Sequence, residues 1–411
     1  MSLSFPSSLC FILKLFCQST RSLGSEHDQD SQPLHAPKNP TGNRPTTKDS
    51  EFAPYFAQIP EDIIYRSEFF PQTGPLAWLD RDDCEIEIER RLQAGELTRE
   101  EADICRKFAQ DGYVVIPGLI DPETADAAWL DYVTIWQESN PFNLPAQPDK
   151  FDPTWGRTGN VHKWVMGMHG LLHHPKIVNL IDLLLGKPCI PYQTIPSFYG
   201  SEQPAHSDAI HMTTFPLGFL AAAWIALEDI HPDSGPLVFY PGSHKLPYLL
   251  SEAAGIGIGD HKRLGRRVYI EKYEKMVQDL IRTKELKPSF FTANKGDVLI
   301  WHHNLLHGGS PVNNPEITRK SLVCHYFAEG VLCYHDLDNA LADIANNGDY
   351  IGIVKEELAT EENFDEQAYL LANRDVAEAV KNGIIPSGYS HFQSFGKSEG
   401  RKLRVDLKTQ N

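Results

Sequence analysis

The period of the apolar positions changes several times along the chain, and each change marks a boundary. From about 18 to 50 the residues are Ser, Thr, Asn, Gln, Pro and charge with no apolar period, so 1–50 is expected to be a disordered leader. From 51 to 97 aromatics (Phe52, Tyr55, Phe56, Phe69, Phe70, Trp78) recur without period, which predicts an arm packed along a larger domain. Helical spacing begins at Thr98. Thr98-x-x-Glu101 is a capping box, and it predicts a helix to Gln110 stopped by Gly112. Tyr113–Pro117 reads as a short strand. Asp121-Pro122 supplies an N-cap and a first-turn proline for a helix to Gln137. A further helix spans Pro175 to Gly186, with Ile177, Leu180, Ile181, Leu184 and Leu185 on its apolar face.

After Gly186 the pattern becomes that of strands. PCIPYQTIP, LAAAWIAL, PLVFY, DVLIWH and SLVCHYF are short β-type runs separated by Gly, Pro, Asp and Asn. Helices followed by many short strands predict an all-β core with flanking helices, not alternating βαβ units. The polar segment 245–287 interrupts the strands and reads as a helical insertion or lid. Beyond Leu358 the pattern is helical again. The expected organisation is a leader (1–50), an arm (51–97), a β-rich domain (98–357) and a small α-helical C-terminal module (358–411).

Charge narrows the partners. The net charge is −17, with no basic stripe, so a phosphate backbone would be repelled and nucleic acid is not an expected partner. Seven scattered cysteines without a CxxC pair fit a reducing compartment rather than a disulfide scaffold or a thiolate zinc site. No apolar run approaches the roughly 20 residues needed to span a bilayer. The short patch Leu9–Cys17, broken by Lys14, does not meet the pattern of a secretory signal. A cytoplasmic chain without membrane contact is the expectation.

The chemistry gathers in two stretches. In HSDAIH, Asp208 lies two residues after His206, and on a strand such positions share a face, so one strand end can present an imidazole and a carboxylate to one ion. A third ligand has to come from elsewhere. GDVLIWHHNLLHGG offers His307, read as the far end of a strand before a Gly-Gly turn. Two imidazoles and a carboxylate on one face of an octahedron form the triad of non-haem iron(II) oxygenases, with open positions for co-substrate and dioxygen. Arg319, twelve residues past His307, offers a planar fork suited to a carboxylate.

Seventeen histidines make chance HxD pairs common, so the others need weighing. His211 reaches the same ion only from a tight turn, which favours His206. His302 and His303 lie inside the expected strand, one facing the core and one away. His244 fits a loop-fixing role, and His162, His169, His173 and His174 fit solvated or capping roles ahead of a helix.

These residues resemble the phytanoyl-CoA dioxygenase family of iron(II)- and 2-oxoglutarate-dependent oxygenases. The resemblance rests on HSD (206–208), WIALEDIHPDSGPLVFYPGSH (224–244), GDVLIWH (296–302), HGGSP (307–311) and TRKS (318–321), in the family's order, and covers Phe108 to Gly330. It implies a double-stranded β-helix, the cupin-like jelly roll, with the metal at one open end. It also implies Fe(II), 2-oxoglutarate and O2 as cofactor and co-substrates, and hydroxylation of a small-molecule substrate with release of succinate and CO2. His206, Asp208 and His307 would be the metal ligands and catalytic centre. Arg319 would anchor the co-substrate carboxylate, Trp224 would wall its pocket, and Lys163 would be a basic contact to it. Related halogenases carry a small residue at the carboxylate position, so Asp208 favours hydroxylation.

A second resemblance covers Phe364–Arg401, which looks like a short helical module found in some bacterial surface and polysaccharide-related proteins, and implies protein or glycan docking. Two other functions fit parts of the pattern. A zinc hydrolase uses the same His2Asp set with a bound water, and a non-catalytic jelly roll would bind a sugar or partner without turnover.

Overall fold

A computed structural model describes residues 52–404 except 60–62, 72–73, 149–150, 343–347, 351–355 and several positions between 362 and 372. The expected leader lies outside the described residues. The capping box is formed as read: Thr98 accepts from the Glu101 amide and Glu101 from the Thr98 amide, and the helix Arg99–Asp111 ends at Gly112. The helices Pro122–Glu138 and Pro175–Leu185 also match their signals.

The strands are β1 (Tyr113–Ile116), β2 (Cys189–Ser197), β3 (Thr213–Phe215), β4 (Leu220–Ala226), β5 (Leu237–Phe239), β6 (Ser289–Phe291) and β7 (Val298–His302). They continue with β8 (His307–Gly309), β9 (Ser321–Ala328), β10 (Leu332–His335), β11 (Ala340–Leu341), β12 (Glu356–Leu358) and β13 (Lys402–Arg404). A five-stranded antiparallel sheet in the order β1-β7-β4-β9-β2 faces a three-stranded sheet β6-β5-β8, the double-stranded β-helix. The sheet β11-β10-β3 lies apart from these two in the pairing.

Why LAAAWIAL reads as an unbroken apolar run follows from packing on both faces. Ala221, Ala223 and Ile225 belong to the core shared with the helices, whereas Ala222, Trp224 and Ala226 belong to the core between the sheets. β7 alternates in the same way, Val298 and Ile300 outward, Leu299 and Trp301 inward. The inward face of the large sheet is therefore where side chains can reach an enclosed site.

Residues described between 52 and 97 pack against later parts of the chain. Trp78 Nε1 donates to Leu183 O at 3.0 Å, Phe70 stacks on Phe215, and Arg66 Nη1 donates to Ile256 O at 2.9 Å. The same stretch holds an unexpected helix, Cys84–Gln93. CEIEIERRLQ alternates like a strand, but only Ile88 and the half-buried Leu92, four residues apart, meet the core, while Ile86 is exposed. Local ion pairs such as Glu87–Arg91 support the helical form.

The single strand expected over Gly296–Gly309 is two. β7 ends at His302, and the chain turns at Asn304, whose Nδ2 donates to His244 O and Leu246 O, so β8 enters the other sheet. The C-terminal residues include the helices Arg374–Lys381 and Gly388–His391 and, beyond the helical expectation, the pair β12–β13. Tyr369, Val376 and Phe392 form a small core of their own. No helix of the described residues is long and apolar enough to cross a membrane.

The reciprocal cap predicts that Thr98→Ala costs about 1 kcal/mol. Urea denaturation should show this as a lower midpoint with an unchanged slope.

Candidate metal centre

His206 and His307, remote in sequence, are cross-strand partners. The His206 amide donates to His307 O at 2.9 Å and the His307 amide to His206 O at 2.8 Å, extending the small sheet by one antiparallel bridge beyond β8. Gly308 and Gly309 permit this approach. A Cβ on Gly308 would lie 2.6 Å from Gln203 O, and one on Gly309 2.7 Å from the Glu202 amide, so side chains there would push the 201–206 segment away.

Ser207 is extended, and Asp208 then opens the tight turn Asp208–Ile210. The expectation of a strand carrying His206 and Asp208 on one face is therefore corrected: the strand pairing ends at His206, and the turn brings Asp208 to the same point. The ligand atoms of His206, Asp208 and His307 all lie within 4.8 Å of one another, and all three residues are buried.

Each donor atom is oriented by a neighbour. His206 Nδ1 bonds Pro204 O at 2.9 Å and His307 Nδ1 bonds Leu305 O at 3.0 Å. A carbonyl only accepts, so both rings carry the proton on Nδ1 and turn the Nε2 lone pair inward. Trp301 Nε1 donates to Asp208 Oδ2 at 2.8 Å, which leaves Oδ1, 3.5 Å from His307 Nε2, as the free acceptor. His325 Nε2 stands 3.6 Å from the same Oδ2.

Burial, with His307 next in effect, holds His206 well below the usual imidazole range, so it is neutral. Burial opposes the charge on Asp208, but His307 and His325 outweigh it, and the carboxyl is held far below its usual range. A neutral His206 beside an ionised Asp208 has the protonation states that metal ligands need. The donor set and its orientation fit a divalent first-row ion.

The triad faces a cavity of about 310 Å³ whose wall includes Trp224, Trp301, Arg319, His325 and Arg157. Arg319 is buried, donates from Nη1 to Gly235 O at 3.1 Å, and lies 5.6 Å from the Trp224 ring centre. Its Nε has no partner, and among the described residues no carboxylate forms an ion pair with it. Burial, then the charge of Arg157, pulls the guanidinium down to about 9, still protonated at neutral pH. A buried cation without a counter-ion is costly, so this one is suited to an anionic ligand.

Lys163 is not brought to this site. It stands on the turn Val161–Lys163 and does not line the cavity. Arg157 is the basic residue of that region that does, donating to Gln203 Oε1 at 2.8 Å. The surrounding chain has no regular period, so nothing in the sequence says which basic side chain points inward. His325 was also missed, yet positions 319, 323 and 325 all line the cavity, a two-residue spacing that could have found it. His211 lines the cavity too, but its Nε2 is taken by Tyr269 Oη at 3.1 Å.

Four further histidines are engaged away from the triad. His302 pairs with Asp80 of the arm at 3.3 Å, and His303 Nδ1 bonds Leu220 O at 3.0 Å; both are buried, against the expectation that one faces away. His244 Nε2 bonds Ala109 O. His162, expected to be solvated or capping, is buried against Thr194 Oγ1. Segment 245–287 contributes no residue to the cavity wall, but Tyr269 within it bonds His211, which does line the cavity. The segment's apolar helix face packs against Ala205, Ile210 and Leu306, chain neighbours of the triad.

Comparison with known proteins places this geometry. A Caenorhabditis elegans protein named "Probable phytanoyl-CoA dioxygenase" is 27% identical over 184 residues, 40% of this chain and 52% of that one. The Bos taurus "Phytanoyl-CoA dioxygenase, peroxisomal" is 28% identical over 173 residues, 40% of this chain and 43% of its own. The chain spans about half the length of the curated relatives it matches. Among solved structures, EctD from S. alaskensis with 2-oxoglutarate and 5-hydroxyectoine is 19% identical with a TM-score of 0.42, over 56% of this chain and 76% of that one. The family model described as Phytanoyl-CoA dioxygenase (PhyH) matches residues 108–321, a span that holds all three clustered side chains and, apart from β9, the strands of the two facing sheets, and the chain belongs to that family.

Proposed function

We propose that this chain is an Fe(II)- and 2-oxoglutarate-dependent dioxygenase that hydroxylates a small organic substrate. One observation carries the reading: two inward imidazole lone pairs and one free carboxylate oxygen converge beside a buried guanidinium that lacks an anion. His206 Nε2, Asp208 Oδ1 and His307 Nε2 would hold the metal, and Arg319 would pair with the far carboxylate of the co-substrate along the face of Trp224. When bound, metal and co-substrate supply dioxygen reduction coupled to decarboxylation of the oxo-acid, with succinate and CO2 as products.

The chain's own residues do the remaining work. Trp301 keeps Asp208 Oδ2 occupied, so the carboxylate offers a single oxygen. Gln203 Nε2 lies 3.1 Å from His206 Nε2 and would give up that contact to a metal while its Oε1 keeps Arg157 Nη1. The inward wall of Trp224, Val323 and Leu237 excludes water from one side of the cavity. A zinc hydrolase would leave the Arg319 cation without a role. Residues 98–357 form the catalytic domain in this reading, and 358–411, with a core of its own, an accessory docking module.

Anaerobic addition of Fe(II) and 2-oxoglutarate should give the visible charge-transfer band of a chelated oxo-acid. Arg319→Ala should keep metal binding but weaken 2-oxoglutarate by about 10–100-fold, the loss of a charge-assisted bidentate pair of about 1.5–3 kcal/mol. No band in the unaltered protein, or unchanged co-substrate affinity in the variant, would refute the assignment. Gly308→Ala, by parting His206 from His307, should weaken metal binding more than tenfold, read by competition with a chelator.

A further inference from the structure

The helical insertion packs on the segments that carry the triad. Residues 256–283 fold as the helices Asp260–Leu264 and Arg266–Val268, a π-helical turn Tyr269–Glu274, and the helix Lys275–Thr283. π turns are rare and gather at functional sites. This one presents Tyr269 and Tyr273, both buried, with rings stacked 5.1 Å apart at 21°.

Both hydroxyls reach the ligand loop. Tyr273 Oη accepts from the Ser207 amide at 3.1 Å and lies 3.3 Å from Ser207 Oγ, on the one residue between His206 and Asp208. Tyr269 Oη bonds His211 Nε2 at 3.1 Å, three residues past Asp208. The apolar contacts repeat the pattern. Ala205, Ile210 and Leu306 share one buried cluster with Ile256, Val268 and Val277 of the insertion. Each member of the triad thus has a chain neighbour, one or two residues away, anchored in the insertion's core.

We propose that the helical insertion is a clamp that sets the ligand triad, with Tyr273 and Tyr269 as its positioning residues. The Ser207 amide has no strand partner once the pairing ends at His206, and the Tyr273 hydroxyl replaces the missing acceptor. That bond fixes the turn from which Asp208 reaches the ion. Tyr269 holds His211 by its Nε2, away from the shared point. Metal affinity and the order of the insertion are then linked: whatever tightens one tightens the other. The inference rests on the metal-site reading above.

The test measures the apparent dissociation constant of Co(II) by chelator competition under anaerobic conditions, beside the thermal midpoint of the metal-free protein. Tyr273→Phe should bind Co(II) about 10–100-fold more weakly, the range for lost partners of a ligand shell, with a smaller metal-induced rise in midpoint. Tyr269→Phe should show a weaker effect in the same direction. In the unaltered chain, Co(II) should slow amide exchange at Ser207 and across 266–283, a readout that stands even if a variant does not fold. Unchanged affinity in Tyr273→Phe, whatever its thermal midpoint, or no slowing of exchange on metal addition, overturns the clamp while unaltered binding keeps the site. An unaltered chain that binds no Co(II) overturns both.

Discussion

Two backbone hydrogen bonds between His206 and His307 hold the centre of this molecule together. They join the end of β8 to a segment a hundred positions earlier and bring the two imidazoles side by side, ring centres 4.5 Å apart. Almost everything else in the site follows from that bridge. Two consecutive glycines are needed for the strands to approach. Asp208 has to arrive by a turn, because the pairing has ended. The amide left over at Ser207 finds its acceptor in Tyr273 of the insertion.

The second constraint is electrostatic. The chain is acidic overall, yet its cavity keeps two guanidiniums, Arg157 and Arg319, with Asp208 as the buried carboxylate at the triad. Buried charge is tolerated when it is paired or awaits a partner. Asp208 is held by the imidazoles and the Trp301 indole, whereas Arg319 has only a carbonyl and an aromatic face. The imbalance marks where an anion belongs, which no inventory of the surface would show.

How far the sequence made this legible depends on the range of each signal. Local signals held closely: the Thr98 capping box, Asp121-Pro122 and the Gly186 stop each sit at a helix boundary. β4 was legible as a strand because a strand buried on both faces is apolar throughout, and β9 because its run is rich in β-branched, aromatic and apolar residues. The three residues that cluster were legible from HxD and HGG, but their geometry was not. The bridge, the split of β7 from β8 and the turn at Asp208 are long-range outcomes with no periodic signature. Arg157 was illegible for the same reason, since an irregular loop carries no record of which side chain faces inward. The helix Cys84–Gln93 was hidden because two apolar residues sufficed to anchor it.

The central claim is that one ion is shared by His206 Nε2, Asp208 Oδ1 and His307 Nε2. A crystal grown with Mn(II) and 2-oxoglutarate, with the metal located by its anomalous signal, tests this most directly. The account predicts one strong peak bonded to those three atoms, with the oxo-acid's remote carboxylate on Arg319. A peak on other side chains, on His211 in place of His206, or no peak in the cavity would contradict it.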